Sequence, residues 1–465
     1  MAIIERTNER TNERTNERTN ERTNERTNER TNEIKITRVI KKEKRLTIEF
    51  SVSHSIQKYF KTDDFWCEYA EEIEAVPNSI AVIPFLVNVL PIAWILDIEI
   101  FVDELDQSFL DSIQHFKQGY IDLYPELDFK GEISVGETVF NQSLKNNTQK
   151  GLLFSGGVDA TSSLIQLIES GEKPELITIW GSDIPSDDLE GWTNKYSITK
   201  SMGQELECPC TYIQTNFRKF LNEGDLGLLV KKQINDGWWH GLQHGIGLIG
   251  LAAPITYLHG ISELYISSSK STDEAGRVAN IDTIVNFLRF NQTNVINYQA
   301  DMSRWEKQKL LGGYVDKNNL ELPIHVCWIT TSGLNCLNCE KCFRTALIFI
   351  LNNVPLYKVN LGHFSSANFT NQFFKKILPA LAGGPELVTK TWRSIFKAAE
   401  EKNDVLQTYH LEWMHLFDFE KAIKKERVKF QIKALFLRPI IWTYQNTLKQ
   451  SNVIKKGIDK LLGQN

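Results

Sequence analysis

The chain has no unbroken apolar stretch of the roughly 20 residues that a membrane-spanning helix needs. Two uncharged runs come near that length. Ala75–Leu96 is broken by Pro77, Asn78, Pro84, Asn88 and Pro91, and Gly237–Ser262 holds His240, Gln243, His244, Pro254 and His259. Both read as buried core elements, so no transmembrane segment is expected. The opening residues Met1-Ala2-Ile3-Ile4 run straight into charge, without the apolar core of a secretory signal. Cysteine is scarce, at seven residues, four of them close together. That excludes a disulfide framework and points to a reduced, cytoplasmic setting with a metal site. A net charge of −5 gives no overall attraction to nucleic acid. The charge is uneven, however. Residues 421–465 hold eleven Lys/Arg against Glu426 and Asp459, a tail of +9, which leaves −14 for the rest.

At 465 residues the chain is long enough for two or three domains. Residues 5–32 are seven tandem Glu-Arg-Thr-Asn repeats with nothing apolar to bury, so residues 1–33 read as a solvated arm without chemistry. Residues 34–148 read as a small α+β domain. Ile34–Ile40 and Arg45–Val52 suggest a hairpin and Ile98–Val102 a strand. Asp106–Leu123 suggests a helix with Phe109, Ile113, Phe116 and Tyr120 on one face. The polar stretch Ser143–Lys150 marks a boundary. Within 149–345, strands are expected at Gly151–Phe154, Leu176–Trp180, Thr211–Thr215 and Glu263–Ser268. Helices are expected between them at Asp159–Ser170, Trp192–Leu206 and Trp238–Tyr257. Such alternation implies an α/β fold, a central parallel sheet with helices on both faces. Residues 346–465 look helical at Leu347–Leu351, Phe373–Leu378, Val388–Ala399 and Leu406–Lys424, with Pro439 interrupting the basic tail.

The segment Leu152–Ser163 reads LLFSGGVDATSS. A strand ends, Gly156 and Gly157 allow a tight turn close to an anion, and a helix starts whose free N–H groups and dipole favour phosphate. Ser155, Thr161 and Ser162 add hydroxyls. Asp159 suits Mg²⁺ binding or loop orientation better than contact with a bare phosphate. The Walker pattern is absent. Ser155-Gly156-Gly157-Val158-Asp159 resembles the Ser-Gly-Gly-x-Asp-Ser/Thr motif of the PP-loop ATP-pyrophosphatase superfamily, with Ala160 where Ser is common. The resemblance implies a HUP-like fold, ATP cleaved to AMP and pyrophosphate, and adenylation of a substrate oxygen. It also implies an adenosine wall at Trp180, Gly181 and Ser182, which otherwise read as a strand-end turn.

Cys327, Cys336, Cys339 and Cys342 are spaced C-x8-C-x2-C-x2-C. Two-residue gaps let thiolates converge on one ion, with the fourth expected from a strand at His325–Ile329. Four thiolates suit Zn²⁺ in a closed, structural site, an iron–sulfur cluster being the alternative. A four-cysteine motif placed C-terminal to a PP-loop resembles the 7-cyano-7-deazaguanine synthase family over residues 150–345. Lys341 and Arg344 beside the knuckle suit a phosphate or carboxylate clamp, or else a solvated helix start.

On a continuous helix His240 and His244 share one face and suit acid–base work or carboxylate binding; the plain alternative is packing on the sheet. The segment expected for deazaguanine recognition is replaced by Ser271–Arg277, where Asp273 and Arg277 are loop candidates. Cys208-Pro209-Cys210 reads as a strand entry. The basic tail offers contact with RNA, DNA or an acidic membrane surface, or is simply a solvated helix face. The leading expectation is an adenylating enzyme using ATP, Mg²⁺ and Zn²⁺ on a small-molecule or modified-base substrate, with a nitrogen nucleophile displacing AMP. A homodimer is a further expectation. A thiolation-type tRNA-modifying enzyme and a nucleotide-binding protein without turnover are the alternatives.

Overall fold

The computed structural model describes residues 32–268, 277–327, 329, 334–384 and 386–447. The Glu-Arg-Thr-Asn repeats before Asn32, Ser271–Gly276 with Asp273, and the tail after Thr447 lie outside the described residues. Among the described residues eleven strands form one sheet: β1 (Glu33–Lys42), β2 (Arg45–Val52), β3 (Asp64–Tyr69), β4 (Glu99–Asp106), β5 (Glu132–Val139), β6 (Gln149–Leu153), β7 (Glu175–Trp180), β8 (Cys210–Thr215), β9 (Ile261–Ser267), β10 (Arg289–Phe290) and β11 (Thr293–Tyr298). Their order is β10-β11-β9-β6-β7-β8-β3-β2-β1-β4-β5, and six of the ten neighbouring pairs are parallel. The expected hairpin is present as β1 and β2. β3 pairs antiparallel with β8, with Cys67 opposite Thr215, so the strands of 34–148 and 149–345 share one sheet.

The helices used below are α1 (Ile83–Leu96), α2 (Gln107–Leu123), α3 (Val158–Glu169), α4 (Leu189–Glu205), α5 (Glu223–Ile234), α6 (Arg304–Asn318), α7 (Glu340–Leu351), α8 (Leu378–Gly383), α9 (Glu386–Glu400) and α10 (Phe419–Thr447). They cover both faces of the sheet, as strand alternation requires. Leu152, Leu176 and Tyr265 point into a core with Leu164 and Ile165 of α3, Leu311 of α6 and Phe343 of α7. Their neighbours Leu153, Ile177 and Ile266 point into a second core with α1, α2 and α5. Asp106 starts α2 by accepting the amide of Phe109 at 2.9 Å. None of the helices is long and apolar enough to cross a membrane among the described residues.

Four expectations are corrected. The long helix at Trp238–Tyr257 is broken into a π turn (Trp239–Gln243), a short α segment (Ile246–Ile249), a 3-10 turn (Gly250–Ala252) and a final α segment (Ala253–His259). Gly245 sits at φ 94°, outside any helix, and forces the break. The small residues serve close packing instead. A Cβ on Gly250 would lie 2.5 Å from Val87 of α1. Leu406–Lys424 is likewise not one helix. His410 takes a left-handed φ of 54°, and Asp418 caps a fresh start by accepting from Lys421 N at 2.9 Å. α10 then continues through Pro439. Residues 325–327, expected as a strand, have no strand pairing.

Candidate functional site

The parallel block runs β11-β9-β6-β7-β8. From β6 the chain moves one way, to β7 and β8, and then returns to place β9 on the other side of β6. β6 therefore lies at the switch in strand order, where a crevice opens beyond the carboxyl ends of the strands. The loop Phe154–Gly157 emerges there. Gly156 has φ 63°, in the left-handed region, and Gly157 at the helix boundary has φ −85°. No side chain caps the start of α3, so its first N–H groups have no partner of that kind. Ser155 Oγ accepts from Gly157 N at 3.4 Å.

A cavity of about 140 Å³ lies over this loop, lined by Ser155, Gly157, Val158 and Asp159. Its other walls come from Asp183 and Ile184 after β7, Lys195 of α4, Arg304 of α6, His325–Cys327, and Lys341 and Thr345 of α7. Whole small-molecule pockets span about 300–1,000 Å³, so the enclosed part suits a fragment such as a phosphate chain. Three cationic side chains and two carboxylates line it. Asp159 is already engaged: Arg304 Nη2 lies 2.8 Å from its Oδ2 and Lys307 Nζ 3.7 Å from its Oδ1. These ion pairs tie the first turn of α3 to α6. Asp183 is exposed at the rim.

Lys195 Nζ donates to His325 Nδ1 at 3.1 Å. Burial lowers the Lys195 pKa to about 8. Burial, with the charges of Lys195 and Lys341 added, lowers that of His325 to about 3 and keeps the imidazole neutral. Burial also lowers Lys341. Desolvated cations gain most from a bound anion, because the anion replaces the water they have lost.

The four cysteines stand directly behind this cavity. Their sulfur atoms all lie within 4.8 Å of one another, and Cys336 and Cys342 are 3.8 Å apart. A tetrahedron with zinc–sulfur arms of about 2.3 Å has edges of about 3.8 Å, so the spacing fits such an ion. Backbone amides already point at the sulfurs. Ile329 N donates to Cys327, Asn338 N to Cys336 and Cys342 N to Cys339, each at 3.4 Å. The neighbouring Cys342 lowers Cys339 to about 6, while burial raises Cys336 to about 11. The cluster can hold a metal such as zinc. It is also tied to the loop. Cys339 caps α7, which carries Lys341 into the cavity wall. Buried Asn335 accepts from Val326 N at 2.9 Å and Cys327 N at 3.2 Å, and donates to the carbonyls of Ile324 and Asn360.

Other sequence candidates lie elsewhere. Thr161 and Ser162 are fully buried in α3 and do not line the cavity. Trp180 stacks on Trp192 at 5.1 Å and donates to the carbonyl of Pro185, so at least one ring face is occupied. Gly181 and Ser182 do not line the cavity, although the next two residues do. At Gly181, with φ 116°, a Cβ would lie 2.1 Å from the Thr215 carbonyl oxygen, which gives this glycine a packing role. His240 and His244 are also outside the cavity lining. His240 is exposed and 3.9 Å from Asp236, and His244 packs edge-on against Trp239. Arg344 pairs with Glu340 at 2.9 Å and Arg277 with Glu126 at 2.6 Å. Nothing in the sequence marks Lys195 or Arg304, and Asp183 follows directly on the expected adenosine wall. His325 had one usable signal, its place two residues before Cys327. No protein-family model matches the chain, and no curated protein matches it.

Proposed function

We propose that this chain is an ATP-dependent adenylating enzyme of the PP-loop kind, splitting ATP to AMP and pyrophosphate. The observation that carries the reading is the cavity over Ser155–Asp159, where an uncapped helix start meets Lys195, Arg304 and Lys341. A strand, a glycine turn, a helix and converging cations at a strand-order switch suit a phosphate chain. Lys195 and Lys341 line the same cavity as the helix start and would draw charge toward the leaving pyrophosphate. Arg304 holds Asp159, and Asp159 in turn fixes the first turn of α3.

Mg²⁺ would accompany the phosphates, with Asp183 the cavity carboxylate not engaged by an ion pair among the described residues. Zinc at Cys327, Cys336, Cys339 and Cys342 would brace the wall that carries His325 and Lys341. The acceptor is a carboxylate or carbonyl on a small molecule or a modified base, and a nitrogen nucleophile completes the reaction.

The test is incubation of the purified chain with ATP labelled at the α-phosphate, with and without candidate carboxylic acids. Release of labelled AMP together with pyrophosphate is expected, and its loss in Lys195→Met. Release of ADP and phosphate, or no turnover with any acid, overturns the reading.

A further inference from the structure

α10 packs one side on the C-terminal core. Phe419 and Ile423 are buried there, and Phe430 lies so close to Gly383 of α8 that a Cβ on that glycine would overlap it. With about 3.6 residues per turn, Lys421, Lys424, Lys425, Val428, Ile432 and Leu435 fall on the opposite side. All six are exposed, and Val428, Ile432 and Leu435 keep 50%, 50% and 58% of their surface in water. Those three follow i, i+4, i+7 spacing, so they form a stripe. The acids of this helix lie off the stripe and are engaged: Glu420 pairs with Arg393 and Glu426 with Lys429. Lys421, Lys424 and Lys425 make no ion pair among the described residues.

We propose that this outward face of α10 docks on an anionic lipid surface. Cations beside half-exposed aliphatic side chains suit a bilayer interface, where headgroups attract the lysines and the acyl boundary takes up the aliphatics. A nucleic acid rewards chiefly the cations, because most of its contacts go to phosphate and sugar, and the stripe carries no aromatic side chain on which an unpaired base could stack. A second copy packed on the same face would bring lysine against lysine. The sequence beyond Thr447 keeps the same sign, with Lys449, Lys455, Lys456 and Lys460 against Asp459. No described helix is long and apolar enough to cross a bilayer, so the contact is peripheral. This inference is independent of the phosphate site.

The experiment is co-sedimentation of the full chain with vesicles of phosphatidylcholine alone or of phosphatidylcholine with phosphatidylserine. Binding is expected only with the acidic lipid, falling as salt rises. Each lysine near such a surface contributes about 1 kcal/mol, or about fivefold. The variant Lys421→Gln/Lys424→Gln/Lys425→Gln should therefore bind about a hundredfold less. Val428→Ser/Ile432→Ser/Leu435→Ser should lose at least about tenfold, through apolar burial. Both variants change exposed residues, and gel filtration and circular dichroism should match the parent chain. Equal binding to neutral vesicles, no binding to acidic ones, or full binding by the aliphatic variant overturns the proposal. So does RNA or DNA binding through this face without vesicle binding, or a dimer that the aliphatic variant dissociates.

Discussion

The amide of His325 donates to the carbonyl of Gly156 at 2.8 Å. This one bond joins the cysteine knuckle to the phosphate loop, because Cys327 lies two residues further on and Gly156 is the loop's left-handed glycine. Asn335 holds the same segment through three hydrogen bonds and ties it to the Asn360 carbonyl through a fourth. Replacing Asn335 with Ala would strand two amides and two carbonyls in a buried place. At about 1–3 kcal/mol for each unmet group, with some regained by rearrangement, a loss of about 3 kcal/mol is expected. Urea unfolding reads that loss. Pyrophosphate titration of the folded variant should show weaker binding as well, because the loop's tether has loosened.

Metal removal should act along the same path. The chain is expected to hold one zinc per molecule by atomic emission. Cys336→Ser should lower both the metal content and the melting temperature. Cys336 is the half-buried member of the four, so its change disturbs packing least. Chelation of the parent chain should weaken pyrophosphate binding without any substitution in the cavity. Unchanged anion binding after complete zinc loss would separate the two sites.

Lys195 supplies a pH test. Its pKa is lowered to about 8, chiefly by burial. Below pH 8 the empty site carries the ammonium that an anion needs, and above it the ammonium is lost. A bound polyanion holds the proton, so binding between pH 8 and the bound-state pKa takes up protons. Affinity for pyrophosphate should fall by up to about tenfold per pH unit in that window. Calorimetry in buffers of different ionisation heat measures the uptake. Lys195→Met should bind more weakly and show no break near pH 8.

The residues legible in the sequence were those whose partners are near in sequence. Strand, Gly156-Gly157 and helix follow one another, and the cysteine spacing sets convergence by itself. Lys195 sits on α4 among polar residues and reads as a solvated lysine until α4 is docked beside the loop. Arg304 meets Asp159 from a helix 145 residues away. The β3–β8 pairing sets Cys67 opposite Thr215, so nothing local announces that the strands of 34–148 extend the central sheet. The helix expected at Trp238–Tyr257 failed for another reason. Apolar content alone does not secure helical continuity here, because Gly245, Gly247 and Gly250 serve turns and close contact.

Gly181 tests the strand-end packing. A Cβ there meets the Thr215 oxygen at 2.1 Å, and φ 116° is strained for any other residue. Gly181→Ala should cost about 3 kcal/mol or more, the backbone strain alone being about 1–3. The melting temperature should drop. Asp183, two residues on, should shift with the strand end and alter anion binding.

His259 gives the stability profile a basic limb. Its Nε2 lies 2.6 Å from Glu71 and its Nδ1 2.7 Å from Glu175, joining the segment after β3 to the start of β7. The hydrogen bond to Glu175, then that to Glu71, raises its pKa to about 9. In the unfolded chain a histidine titrates near about 6.5. The folded pKa is the higher one, so the stabilisation is complete below about 6.5 and is lost as pH rises through about 9. The gap corresponds to an upper limit on the order of 3 kcal/mol. His259→Gln should therefore lower the unfolding free energy at pH 6 and have much less effect at pH 10, where the imidazole is already neutral. Equal losses at the two pH values would show that the ring acts by packing and hydrogen bonding rather than by charge.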